Sequence, residues 1–234
     1  MLEVFSFERI TMLALADSVN PCEIAILAMV LMAILIKNSN NRKKVLLGGL
    51  AFVSAVYIGY LIYGVVIVQF FRSFAEILRE NSKTIYNSLA ILAMVIGALN
   101  IKDFFFYKKG GIATEMPIWM RPKAKKLIDK ITSPGGAFFI GFLVTVFLLP
   151  CTIGPYIVAS GLLSELGVLK AIPWLLYYNL LFILPMILIT FAVYFGLTKI
   201  DDVTQWKEKN IKKLHLIAGI LLFLVGLSLL MGWL

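Results

Sequence analysis

Apolar positions along this chain do not alternate with polar ones; they run on in six long blocks, with the charges gathered between them. The blocks cover about residues 12–36, 45–70, 85–106, 136–163, 169–196 and 214–233. Each reaches the roughly 17–25 mostly apolar residues that a helix needs to cross a bilayer. Hydrocarbon offers no partner to a bare peptide group, so a block of this length reads as a helix that satisfies its own backbone. The stretches Leu89–Leu99 and Leu214–Trp233 are the cleanest. Asp17, Ser18, Asn20 and Glu23 crowd the outer half of the first block, and Pro173 and Pro185 predict a kink in the fifth.

Charge orients the blocks. Of the 22 Lys and Arg residues, 17 fall in the three connections after spans one, three and five or at the end of span three, among them Lys37, Lys102, Lys108, Lys109, Arg121, Lys125 and Lys207. The other face holds Arg9, Arg72, Arg79, Lys83 and Lys170. The positive-inside rule makes the rich face cytoplasmic and predicts a multi-pass plasma-membrane protein with both termini outside. Composition agrees: 61% of residues are hydrophobic and 15% charged, against about 25% charged in a soluble domain. The net charge of +9 therefore reads as basic loops facing anionic membrane lipid, not as a nucleic-acid surface. Met1 to Ile10 carries Glu3 and Glu8 and has no basic leader, so the first span is predicted to direct insertion. In the one long connection, Ala124, Leu127, Ile128 and Ile131 recur at helical spacing among lysines, which predicts a short amphipathic helix on the inner leaflet.

The dipeptide Pro-Cys occurs twice, at Pro21-Cys22 and Pro150-Cys151, 129 positions apart. At the same offset Gly97 in span three meets Gly226 in span six. The offset pairs span one with four and span three with six, and a half with three spans inserts upside down relative to its copy. The predicted fold is an all-α membrane protein of six transmembrane helices, built as two inverted three-helix repeats with helices 1 and 4 broken at Pro-Cys. The first repeat covers residues 1–110, a basic amphipathic linker 111–134, and the second repeat 135–234.

Cys22 and Cys151 are the only two cysteines. Asn20 suits an N-cap, Pro21 the first helical position, and Glu23 the acid of a capping box, which places Cys22 in the first turn of an inner half-helix. Around Cys151, Pro150, Gly154 and Pro155 predict about one unwound turn, tolerated only inside protein or beside a wet cavity. A broken helix carrying a thiol in each half is a candidate reaction centre for disulfide exchange. Two sulfurs would need two more ligands to hold a structural metal, and His215 is the chain's one histidine, placed near the cytoplasmic interface, so no metal is predicted. No phosphate loop, CxxC motif or other cofactor-binding pattern is present, and no cofactor is predicted. Gly48, Gly49, Gly59 and Gly64 suit either tight packing or helix sliding, and Asn179 and Pro185 are candidates for lining a path through span five.

With Asn20-Pro21-Cys22 and Pro150-Cys151-Thr152-Ile153-Gly154-Pro155 in place, the chain resembles the CcdA family, the cytochrome c biogenesis transmembrane proteins related to the membrane domain of DsbD. Pro155 matches the family's proline four residues after the second cysteine, whereas Ala25 stands where many members have proline. The resemblance implies a thiol–disulfide oxidoreductase that takes two electrons from cytoplasmic thioredoxin. It would pass them to extracytoplasmic thioredoxin-like proteins through a reversible Cys22–Cys151 disulfide. A donor near −270 mV and an acceptor near −180 mV would supply about 4 kcal/mol for two electrons. The alternative is a small-solute or ion exporter on a similar inverted fold, with Asp17, Asn20 and Glu23 as its polar site.

Overall fold

The computed structural model describes residues 7–38, 41–77, 82–107, 114–131 and 133–231. Met1, Glu3, Arg79, Lys108, Lys109 and Trp233, which entered the charge and span assignments, lie outside them. The elements are α1 (Phe7–Ser18), α2 (Pro21–Lys37), α3 (Arg42–Ile77), α4 (Ser82–Phe105), α5 (Arg121–Ile128), α6 (Pro134–Leu163), α7 (Val168–Tyr194) and α8 (Ile200–Met231). A short 3-10 turn, Ser164–Leu166, joins α6 to α7. Five helices are long and apolar enough to cross a bilayer, and α1 with α2 makes a sixth candidate, bent by 50° at its break. Among the described residues every regular element is helical. Large apolar side chains also point outward along the helices: Val66, Ile91, Phe139, Leu188 and Leu224 are all exposed. In water that surface would drive aggregation; in hydrocarbon it is the required exterior. The chain is an α-helical, multi-pass membrane protein.

The sequence windows and the helices differ most at α8, which starts at Ile200 rather than near residue 214. Asp201 and Asp202 sit in its first turn, where the helix dipole favours acids. At 1.5 Å per residue its 32 residues span about 48 Å, well beyond a hydrocarbon core of about 30 Å, so its polar first third stands clear of the apolar layer.

The core forms where α3 lies against α6 and α7, α4 against α8, and α1 against α6, α7 and α8. The α4–α8 crossing is tight because glycine sits on both sides of it. A β-carbon on Gly97 would lie 2.8 Å from the Phe223 backbone nitrogen, and one on Gly226 would lie 2.7 Å from the Ala90 carbonyl. Small residues let two backbones approach in this way. Helix α7 ends in a Schellman turn: Gly196 has φ 72°, Leu197 N–H bonds Ala192 C=O at 2.9 Å, and Gly196 N–H bonds Val193 C=O at 3.1 Å.

Two expectations need correction. Helix α6 is not broken: it runs through Pro150, Gly154 and Pro155 without an unwound turn. A proline removes one hydrogen bond, and a neighbour that replaces the bond allows the helix to continue. Gly154 serves packing, since a β-carbon there would meet the Ile96 side chain at 2.6 Å. Helix α5 forms with the predicted apolar face, but that face is spent on protein: Ala124, Ile128 and Ile131 are buried, and α5 contacts α2 and α6.

Candidate functional site

The break between α1 and α2 follows from its sequence. Asn20 is the N-cap of α2, its side-chain oxygen accepting the Cys22 N–H at 3.1 Å, with Pro21 at the first helical position. The capping box is incomplete. The Asn20 N–H donates to the Asp17 carbonyl at 3.1 Å, so Glu23 has no capping task. The Asn20 amide does a second job: its Nδ2 donates to the Cys151 carbonyl at 3.0 Å. That carbonyl is the group Pro155 leaves without its helical partner four residues on. One asparagine therefore caps α2 beside Cys22 and repairs α6 at Cys151.

This places the two cysteines together. Both are buried, free thiols, and the one Asn20 side chain bonds the backbone of each. The Met116 N–H donates to Cys22 Sγ at 3.2 Å. Behind the thiols lies a polar layer. Tyr60 Oη and Thr152 Oγ1 are 2.8 Å apart, and Tyr178 Oη donates to Asp17 Oδ2 at 3.1 Å. Asn179 Nδ2 donates to Tyr156 Oη at 3.2 Å, and Tyr156 Oη donates to the Tyr60 carbonyl. Asp17 and Glu23 are buried, and Asp17 Oδ1 and Glu23 Oε1 have no hydrogen-bond partner among the described residues.

Residues 114–120 form a strap over Cys22. Glu115 anchors it, pairing with Arg121 Nη2 at 2.6 Å, accepting from Tyr107 Oη at 2.6 Å, and standing 3.7 Å from His215 Nε2. Burial, and then the adjacent Glu115 carboxylate, push the Tyr107 phenol above its ordinary range. His215 is buried, with Nδ1 3.0 Å from Asn100 Oδ1. Thr114 Oγ1 donates to Asp103 at 2.6 Å, tying the strap's other end to α4.

Access to the two thiols is unequal. A cavity of about 500 Å³ reaches Cys22 between α2, the strap and α5. Its walls are largely apolar, with Ala25, Met29 and Ile118, while Arg121, Lys125 and Lys207 bring positive charge. Cys151 lines a void of about 20 Å³, shared with Asp17, Asn20, Pro155 and His215, which has room for about one water. Among the described residues no group of three or more His, Cys, Asp or Glu is placed to hold a metal ion. Sequence reading singled out Asn20, Pro21, Cys22, Cys151, Asp17, Glu23 and Asn179 around this centre. It missed the strap and the Tyr60, Thr152, Tyr156 and Tyr178 hydroxyls, although polar groups inside spans are themselves pointers to function.

A family described as Sap, sulfolipid-1-addressing protein, matches residues 10–233, all six candidate spans and both Pro-Cys segments included. The chain belongs to the Sap family. No curated protein and no protein of solved structure matches it. The resemblance to the CcdA family is thereby overturned. It rested on two short stretches around the cysteines, whereas the Sap match takes in nearly the whole pattern of spans and loops.

Proposed function

We propose that the chain is a membrane thiol–disulfide oxidoreductase, in which Cys22 and Cys151 alternate between dithiol and disulfide. One observation carries this reading: the chain's two cysteines, 129 positions apart, are brought to the two ends of one Asn20 side chain inside the membrane domain. Exchange requires a thiolate, a leaving sulfur and a route for a partner sulfur. The 500 Å³ cavity supplies such a route to Cys22 from the side of Arg121, Lys125 and Lys207. By the excess of basic residues this side is cytoplasmic in a plasma membrane, with both termini outside, and the partner there is a reduced thioredoxin. Electrons leave to a thioredoxin-like protein on the opposite side. An inverted repeat supports the transfer, since the contacts α1–α7 and α3–α6 are counterparts under such a symmetry, as are α4–α6 and α1–α8. The inward-open cavity is then one of two alternating states.

The test is the state of the two thiols by differential alkylation. Reduced thioredoxin should convert oxidised protein from no free thiols to two, without sulfur-linked dimers. Thiols that stay free under oxidant, or pair only between molecules, would end this reading.

A second reading is export of an anionic amphiphile, favoured by the apolar walls and cationic rim of the same cavity and by the sulfolipid in the family's description. Replacing both cysteines by serine separates the two readings. Export predicts unimpaired transport of a lipid or solute by that variant, whereas electron transfer predicts complete loss of thiol exchange.

A further inference from the structure

We infer that the small void beside Cys151 is a proton-binding site, in which one water joins Asp17 to His215 and the imidazole carries the proton. The site does not depend on thiol exchange. Two of the side chains that line the void end in a buried atom with no hydrogen-bond partner among the described residues, Asp17 Oδ1 and His215 Nε2. Both residues are 1% exposed. Unmet polar groups are costly away from water, and ionisable side chains inside a membrane domain build proton paths. At about 20 Å³ the void has room for one water, which needs at least two polar partners. Asp17 and His215 supply them. A divalent cation would need about six oxygen ligands or more. Here Asn20 and Asn100 spend their oxygens on Cys22 N–H and the His215 ring, and Tyr178 holds the second Asp17 oxygen. One Asp17 oxygen and Thr114 Oγ1 are too few for a metal, and a proton fits.

The neighbours of the ring assign its basic nitrogen. Asn100 Nδ2 donates to the Ile96 carbonyl at 3.0 Å, so Asn100 Oδ1 faces His215 and accepts from Nδ1–H at 3.0 Å. The neutral ring therefore keeps its lone pair on the unpartnered Nε2. Glu115 Oε1, 3.7 Å away, is beyond hydrogen-bonding range of it. With the site empty, the water gives one hydrogen to Nε2 and the other to Asp17 Oδ1. Uptake of one proton from the medium turns Nε2 into a donor. The water then accepts from Nε2–H and still donates to Asp17, and the added charge lies between the Asp17 and Glu115 carboxylates. Around the ring the other titratable groups are Cys151 on α6, Asp103 on α4 through Thr114, Tyr107 with its ring 5.9 Å off, and Arg121 behind Glu115. On α2, Cys22 and Glu23 follow Pro21, which lines the void, and on α8 Lys212 is exposed one turn before His215.

His215 is the chain's one histidine, so nitrogen-15 histidine labelling gives a single imidazole to follow. The full chain, purified without a histidine tag and kept reduced in nanodiscs, is titrated while its nitrogen-15 spectrum is recorded. The neutral ring should carry its proton on Nδ1, and charging should add the second at Nε2. Asp17→Asn should weaken the ring's hold on that proton about tenfold or more, because the anion across one water is lost. Glu115→Gln should weaken it less, since Arg121 already balances that carboxylate. A histidine that only packs would titrate alike in the parent and in Asp17→Asn, and that result would overturn the site. So would an effect confined to Glu115→Gln, which would make the strap carboxylate the counter-ion. If Asp17→Asn does not fold, the unmodified chain decides: magnetisation transfer from water must reach Nε2 of the neutral ring. A dry Nε2, or a neutral ring protonated there, ends the assignment.

Discussion

The same dipeptide sits at the start of α2 and in the middle of α6, yet the backbone breaks at one and continues through the other. At the first, Asn20 precedes proline and accepts from Cys22 N–H, so a new helix begins there after a 50° bend. At the second, Leu149 precedes Pro150 and offers no side-chain acceptor to cap a new helix. The carbonyl that Pro155 strands is met from outside by Asn20 Nδ2 at 3.0 Å. A proline therefore does not end a helix by itself, and at Pro155 the group it orphans has a partner. The two sites differ in access for the same reason. The break exposes the first turn of α2 to the 500 Å³ cavity, while the intact helix keeps Cys151 beside a void of about 20 Å³.

The comparison breaks most completely at Asn20, which serves both sites. Asn20→Ala should lose the cap of α2 and leave the Cys151 carbonyl buried without its donor. A cap is worth about 1 kcal/mol, and an orphaned buried acceptor costs about 1–3 kcal/mol, so a total near 2–4 kcal/mol is expected. Asn20→Ser should retain the cap but fall short of Cys151, recovering about 1 kcal/mol. Unfolding in a mixed-micelle SDS titration measures both. An alanine variant as stable as the parent would remove Asn20 as the link between the two cysteines.

The unequal access should sharpen at the strap. Glu115→Gln replaces an ion pair with Arg121 by a neutral contact; Arg121 is 39% exposed at its side chain, so solvent screens much of the pair. A loss of about 1 kcal/mol, or roughly fivefold in opening, is the appropriate scale. In the Cys151→Ser background Cys22 should therefore react about fivefold faster with a bulky maleimide entering from the basic face. An unchanged rate would show that Met116 and its neighbours do not limit access.

Much of this arrangement was legible in the sequence because it is local. Apolar length located all six candidate spans, and Asn20-Pro21 marked the start of α2 by a mechanism confined to three residues. Gly97 and Gly226, matched by their shared offset, lie on one crossing, α4 with α8. The parts that sequence missed depend on residues distant in the chain. Pro155 looked like a break because the donor from Asn20 lies 131 residues away from Cys151. The face of α5 carries the same amphipathic pattern whether lipid or protein covers it, and only the fold shows that protein does. Glu115 gave no signal, since its partners Tyr107, Arg121 and His215 come from three separate segments.

The smallest effect is expected where proline chemistry alone predicts the largest. Pro155→Ala restores an N–H four residues after Cys151, and in an isolated helix that change is worth up to about 3 kcal/mol. Here the helix is already formed, and the Cys151 carbonyl already accepts from Asn20. The new N–H would share an acceptor that has two lone pairs, so the gain should be about 1 kcal/mol or less. Thiol exchange in Pro155→Ala should stay within about twofold of the parent, because neither the Asn20 bridge between the two cysteines nor the cavity at Cys22 depends on a kink in α6. The decisive background is Asn20→Ser, where the carbonyl has lost its donor. There Pro155→Ala should recover more stability than it does in the parent, and a double-mutant cycle should report a coupling of about 1 kcal/mol. Additive effects would mean that the asparagine and the missing proline N–H do not compete for the same oxygen, and the account of why α6 stays intact would fall.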